Sequence, residues 1–248
     1  MKRAKILVIE GTDGSGKETQ SKRLEERLLN QGYKVKRYSF PIYDSPTGRI
    51  VGGPFLGKPE YGGGYFPETS ANVDPLVSSV YYAADRRYNF LDYLENDLYE
   101  NDIINLDRYT TSNMGFQAAK GKTKEERNRI LDFIEDIEYG WYQLPRPDKV
   151  LFLHLPCEAA KELRKGRPAG DGNEDNDEYL KHAEQTYLEI AEKYKWRYIN
   201  CLKAPKFEKL EDIRTIEEIG AEIDGIVEEF MQEETPAIQR LTRFMGGN

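Results

Sequence analysis

Five short apolar runs, rich in β-branched and aromatic residues, punctuate the chain: Lys5–Ile9, Lys34–Phe40, Asp102–Asp107, Lys149–Leu155 and Trp196–Cys201. Segments of helical periodicity fill the gaps. Strand and helix alternating at this spacing predict a parallel sheet covered on both faces. Ser21–Asn30 places Leu24, Leu28 and Leu29 on one face, and Gly32 ends it. Further helices are predicted from about Pro75 to Glu100, over Thr110–Lys120, Lys124–Tyr139, Glu158–Lys165, Asp177–Lys195 and Ile213–Phe230. Tyr139 to Pro147 reads as a turn, because Pro145 and Pro147 cannot continue a helix. Met231–Asn248 has no strong pattern and reads as a loosely packed end. With no internal repeat and no interdomain linker, residues 1–248 are read as one domain.

One stretch breaks the alternation. Residues 41–75 hold seven glycines between Gly48 and Gly64, and six prolines from Pro41 to Pro75. A connection of that length is either a functional, mobile surface or a tolerated insertion.

Charge narrows the classes of partner. The net charge of −8 argues against non-specific binding to a nucleic-acid polymer or an anionic membrane. No apolar run approaches the ~20 residues of a membrane span. The two cysteines, Cys157 and Cys201, lack metal-ligand spacing and read as reduced thiols of a cytoplasmic protein. Met1–Lys5 runs directly into the first strand, so no targeting segment is expected.

The strongest chemistry follows the first apolar run: Glu10-Gly11-Thr12-Asp13-Gly14-Ser15-Gly16-Lys17-Glu18-Thr19. A strand, a glycine-rich turn and a helix form the context of a phosphate-binding loop. The loop amides and the helix start offer unpaired N–H donors to phosphate oxygens, and Lys17 adds an ammonium. Glu18 stands where the pattern has Ser or Thr for Mg²⁺. Thr19 cannot replace that hydroxyl, since one helical step turns a side chain by about 100°. A carboxylate there would repel a phosphate by roughly 3 kcal/mol at ~6 Å and an effective dielectric of ~20, unless a cation lies between them.

Further candidates gather at predicted strand ends, where open α/β sheets bind ligands. Phe40-Pro41 ends the second run. Asp107-Arg108-Tyr109 ends the third; Arg108 suits a phosphate and Asp107 suits Mg²⁺ or its waters. Asn113, Phe116 and Gln117 are spaced to face one cleft. Tyr82 and Arg86 share a helix face. They suit a flat, polar-edged ligand such as a nucleobase, though spacing alone favours a tyrosine packed in the core with Arg86 in a surface salt bridge. His154 reads as a core residue and His182 as a solvated one. Arg164-Lys165-Gly166-Arg167 precedes a glycine-rich acidic stretch and fits a lid over about residues 164–177.

Taken in order, these blocks resemble the thymidylate kinase family of P-loop nucleoside monophosphate kinases over roughly residues 5–230. They are Glu10–Lys17, Phe40-Pro41 with Pro46-Thr47-Gly48, Tyr82-Ala83-Ala84-Asp85-Arg86, Asp107-Arg108-Tyr109 with Ser112-Asn113, and Pro147–Leu153 before the basic lid. The resemblance implies a three-layer α/β/α fold with a five-stranded parallel sheet, and transfer of a phosphoryl group from ATP to dTMP with Mg²⁺. It implies that Gly11–Thr19 hold ATP and that Lys17, Asp13, Arg108, Arg164 and Arg167 serve catalysis. Tyr82 would stack on the base and Arg86 would hydrogen-bond it. Phe40, Pro41, Arg108, Asn113, Phe116 and Gln117 would line the acceptor pocket. The arginine common after Phe-Pro is absent, which would weaken the acceptor-phosphate site or move a contact to Arg49. Metal would fall to Asp107 or Glu18. A homodimer is also implied. A kinase for another acceptor, or a P-loop protein without catalysis, stays open on the residues alone.

Overall fold

The computed structural model describes residues 3–68, 70–165 and 177–234. The strands are β1 (Lys5–Gly11), β2 (Val35–Ser39), β3 (Ile103–Asp107), β4 (Lys149–His154) and β5 (Arg197–Asn200). The helices are α1 (Lys17–Asn30), α2 (Pro46–Ile50), α3 (Pro75–Asn89), α4 (Glu95–Glu100), α5 (Thr110–Ala118), α6 (Lys124–Glu135), α7 (Cys157–Arg164), α8 (Asp177–Lys193) and α9 (Ile216–Gln232). All strands pair in parallel, in the order β2-β3-β1-β4-β5.

Burial explains that order. Every residue of β1 and β3 is buried, as central parallel strands require. The edge strands β2 and β5 carry Lys36, Arg37, Arg197 and Tyr198, which tolerate solvent. Side chains alternate across a strand. Leu7 and Ile9 therefore join Leu24, Leu28, Ile219, Ile223 and Val227 in one core, while Ile6 and Val8 join Phe90, Leu94, Leu106 and Tyr109 in another. The sheet is the middle layer of three.

Three segments depart from the pattern-based reading. The helix after Pro75 is continuous to Glu100 but widens into a π-helical turn at Phe90–Leu94. The helix expected over Lys124–Tyr139 runs on to Trp141, so only the first residues of the expected turn, Tyr139–Trp141, prove helical. The segment Asp136–Trp141 extends α6 as a second π-helical turn and carries Glu138 into the interior. At the carboxyl end the helix runs to Gln232, and the Glu233 carbonyl accepts from Lys5 Nζ at 2.5 Å while its carboxylate pairs with Lys149 at 2.9 Å. Residues 231–233 are thus fastened, contrary to the loose end expected; 235–248 lie outside the described residues.

Residues 41–68 and 70–75 are structured. Ser45 caps α2 by accepting from Gly48 N. Val51–Phe55 forms a π-helical turn and Pro59–Tyr61 a 3₁₀ turn. Val51, Phe55 and Val73 pack as a small core against Leu56, Phe66, Tyr81 and Tyr82. The insertion is folded down onto α3.

Candidate active site

The loop between β1 and α1 closes through Gly14 and Gly16, whose φ values of 76° and 82° lie in the left-handed region that glycine adopts without strain. Lys17 Nζ folds back into the loop and donates to Gly11 O at 2.9 Å and Thr12 O at 2.8 Å. It is 6% exposed. Burial, and then the nearby Arg108 guanidinium, push its pKa down from 10.5 to about 8.

Three side chains join the loop to the rest of the sheet edge. Glu10 is wholly buried at the end of β1. Its Oε1 accepts from Gly11 N at 3.0 Å and Tyr187 OH at 3.3 Å. Its Oε2 accepts from Thr111 Oγ1 at 2.7 Å and Ser112 Oγ at 2.6 Å, both on α5. Arg108, at φ 65°, pairs with Asp13 at 3.3 Å. Burial pushes the Asp13 carboxyl up, but Lys17 and then Arg108 outweigh it and hold it below its ordinary value. Desolvation opposes the Arg108 charge, yet Asp13 and Glu10 keep its pKa raised.

Two cavities flank Arg108. The first, of about 140 Å³, is lined by Phe40, Tyr82, Arg86, Asn113, Phe116 and Gln117 among others. The second is an open groove along Gly14–Gln20, Asp107, Arg214 and Thr215. Phe40, Pro41, Tyr43 and Arg108 belong to both walls. The expected acceptor residues thus converge, with Arg49 the exception. Arg49 is exposed on α2 and lines neither cavity, because the helix turns it outward.

Tyr82 meets Phe55 edge-on at 5.5 Å. Arg86 is 3% exposed and its partner Glu138 fully buried. Nε donates to Glu138 Oε2 at 2.5 Å and Nη2 to Oε1 at 2.6 Å. Both readings of this helix face hold in part: Arg86 lines the cavity and also forms an ion pair, but a buried one.

Asp107, at the end of β3, is 4% exposed, accepts from Ser39 Oγ at 2.8 Å and faces the groove. Glu18 instead points into solvent and pairs with Lys22 at 2.6 Å. Glu18 still borders the groove, with its carboxylate drawn along the helix by the i,i+4 lysine. Thr19 is exposed too. Among the described residues no group of three or more His, Cys, Asp or Glu could hold a metal. Arg164 ends α7 beside Thr12 and Asp13; Arg167 and the rest of the lid, 166–176, lie outside the described residues. His154 is partly buried and is satisfied by Tyr198 OH at 2.8 Å and Glu184 at 2.7 Å.

Several contributors were not singled out from sequence. Asp85 gathers Ile42 N, Ser45 Oγ, Thr47 Oγ1 and Asn89 Nδ2, at 2.8–3.1 Å, and so fixes the turn after Pro41. Lys120 donates to Ser70 O, Val73 O and Ser78 Oγ at 2.8–3.1 Å, clasping the insertion. Phe55 and Leu56 bring that insertion into the cavity wall. The visible signals were a lone charge closing an apolar strand, Glu10, and an acid inside an Ala-Ala-Asp-Arg helix segment, Asp85.

The family model described as Thymidylate kinase matches residues 9–212. The thymidylate kinase of Prochlorococcus marinus (strain AS9601) is 30% identical over 201 residues, covering 80% of this chain and 89% of that protein. Human thymidylate kinase is 26% identical over 218 residues, covering 88% and 91%. A solved thymidylate kinase structure from Candida albicans has a TM-score of 0.67 at 23% identity over 92% of both chains, which speaks to the fold. A match across most of the chain, on a sheet edge where a phosphate loop and an aromatic cavity meet at one arginine, places this protein in the thymidylate kinase family.

Proposed function

We infer that the chain transfers the γ-phosphoryl group of ATP to the 5′-phosphate of dTMP, releasing ADP and dTDP. The observation that carries this reading is the shared wall at Arg108 between the groove and the cavity. An oxygen of the acceptor phosphate attacks the γ-phosphorus, and the bond to the β–γ bridging oxygen breaks. That nucleophile is already anionic, so alignment and charge neutralisation do most of the work.

In this reading Gly11–Thr19 carry the ATP phosphates. Lys17 leaves the loop carbonyls for the β- and γ-oxygens. Arg108 bridges donor and acceptor phosphates, with Asp13 fixing its guanidinium. Arg164, with Arg167 of the lid, adds charge from above. Tyr82 and Phe40 sandwich the base, Arg86 and Asn113 read its edge, and Pro41, Phe116 and Gln117 complete the cavity. Asp107 fits Mg²⁺, which keeps several waters and takes only one or two protein carboxylates beside the phosphates. When bound, that ion would supply positive charge beside the phosphates.

The same reading makes the protein a homodimer through α3. Leu76, Val77, Val80, Tyr88 and Leu91 are each 38–46% exposed along that helix and its continuation, an apolar stripe suited to a second copy. The two free thiols, Cys157 and Cys201, fit the cytoplasm. Among the described residues no helix is long and apolar enough to cross a membrane.

The deciding experiment offers ATP and Mg²⁺ with dTMP, dUMP, dCMP, dGMP or deoxynucleosides and reads products by mass. The expected product is dTDP. A preference for another acceptor would replace the assignment, and no turnover of any acceptor would end it.

A further inference from the structure

Glu138 forms no part of the acceptor cavity wall, yet it touches two residues that do. Its Oε1 accepts from Arg86 Nη2 at 2.6 Å and from Asn113 Nδ2 at 2.8 Å, and its Oε2 accepts from Arg86 Nε at 2.5 Å. It reaches them because α6 continues into the π-helical turn Asp136–Trp141. An extra residue per turn in a helix is a common device at functional sites.

A carboxylate only accepts, and this settles which way the Asn113 amide lies. Nδ2 gives one hydrogen to Glu138 and the other to Ser79 O at 3.1 Å. Asn113 Oδ1 is then a buried oxygen without a partner, as is Gln117 Oε1 on the same cavity. Arg86, with Nε and Nη2 engaged, has Nη1 left for the cavity, and a guanidinium only donates. The wall therefore offers an acceptor beside a donor. A base edge with a ring N–H next to a carbonyl matches both. An edge with a bare ring nitrogen next to an amine sets acceptor against acceptor and donor against donor.

We propose that Glu138 is a positioning residue that sets the hydrogen-bond polarity of this cavity, and with it the selection of a 4-oxo pyrimidine over a 4-amino one. The proposal rests on the reading that the cavity takes the acceptor base. Replacing the carboxylate by an amide releases the constraint. A glutamine puts an NH₂ in place of one of the two oxygens. At the Oε1 position it opposes both Arg86 Nη2 and Asn113 Nδ2, and Asn113 meets it only after a half-turn that presents Nδ2 to the ligand, a donor suited to the bare ring nitrogen; at the Oε2 position it opposes Arg86 Nε and displaces the guanidinium that donates into the cavity.

The test is steady-state kinetics of the full chain, Glu138→Gln and Glu138→Asp, with dTMP and dCMP at saturating ATP. Circular dichroism and melting serve as checks of folding. In Glu138→Gln the kcat/KM ratio of dTMP to dCMP should fall roughly tenfold or more, since a mispaired buried polar group governs such discrimination. The KM for ATP should stay within about twofold, as the ATP groove is not touched. Glu138→Asp keeps an acceptor-only side chain and should hold the ratio within about threefold, even if both activities drop. An unchanged ratio in Glu138→Gln would reduce Glu138 to a packing role and overturn the proposal. Should that variant not fold, loss of the ratio in Glu138→Asp does the same and its retention supports the proposal. Failure of the underlying assignment reads differently: the unaltered protein would then show no preference for dTMP over dCMP, which overturns both.

Discussion

Lys17 illustrates how much one side chain reports. Its ammonium is desolvated and held only by two carbonyl oxygens, so its pKa in the ligand-free fold, about 8, lies below the ordinary 10.5. The unfolded chain thus binds more protons between these values. Stability from this group rises as pH climbs from about 8 to about 10.5, and the protonated form costs stability below that window. Phosphate oxygens reverse the preference by favouring the ammonium. ATP binding near pH 8 should therefore take up about half a proton, seen as a buffer-dependent binding heat in calorimetry. Lys17→Ala should abolish phosphoryl transfer with an unchanged circular dichroism spectrum; near-normal turnover would remove Lys17 from the mechanism. Gly115 makes a different residue-level point. A Cβ there would lie 2.1–2.5 Å from three carbons of the Tyr187 ring, and that ring's hydroxyl reaches Glu10. Gly115→Ala should cost about 1–3 kcal/mol by overpacking, read as a lowered midpoint in denaturant.

Among the elements, the insertion of residues 51–73 has the clearest job. It rests Phe55 and Leu56 on the acceptor cavity and is tied down by Lys120. Lys120→Met should raise the KM for dTMP about tenfold, while the KM for ATP stays within about twofold. Equal effects on both would assign the clasp to general stability. This element also shows where sequence reasoning stops. The central strands β1 and β3 were legible because they are runs buried on two sides, and the phosphate loop because its glycines and lysine sit at fixed offsets. Residues 41–75 read only as long and irregular, because their core consists of Val51, Phe55 and Val73 packing on a distant helix. The inward turn of Glu138 was hidden by the π-helical register, which no 3.6-residue periodicity encodes. The outward turn of Glu18 depended on Lys22 winning the carboxylate, a contest between local pairs that spacing leaves undecided. Arg49 and the fastened residues 231–233 likewise rest on tertiary placement.

For the molecule as a whole, charge is unevenly distributed. The chain carries −8, yet Lys17, Arg108 and Arg164 meet at the carboxyl edge of the sheet. There they are interleaved with the carboxylates of Asp13, Glu10 and Asp107. The surface proposed for a second copy is the exposed apolar stripe along α3 and its continuation. Glutamates introduced together at Val80 and Leu91 should convert a dimer into a monomer in sedimentation velocity. A protein that sediments identically before and after the change does not pair through this stripe.

The carboxylate of Glu10 has a consequence for the two ligands. One oxygen steadies the first loop amide and the other steadies the start of α5, so each ligand settles against a neighbour that the other has already stiffened. Such crosstalk is reciprocal by thermodynamics: whatever factor a non-hydrolysable ATP analogue applies to dTMP affinity, dTMP must return to the analogue. Glu10→Gln should bring that factor closer to one, and titrating each ligand with the other present or absent measures it from both directions.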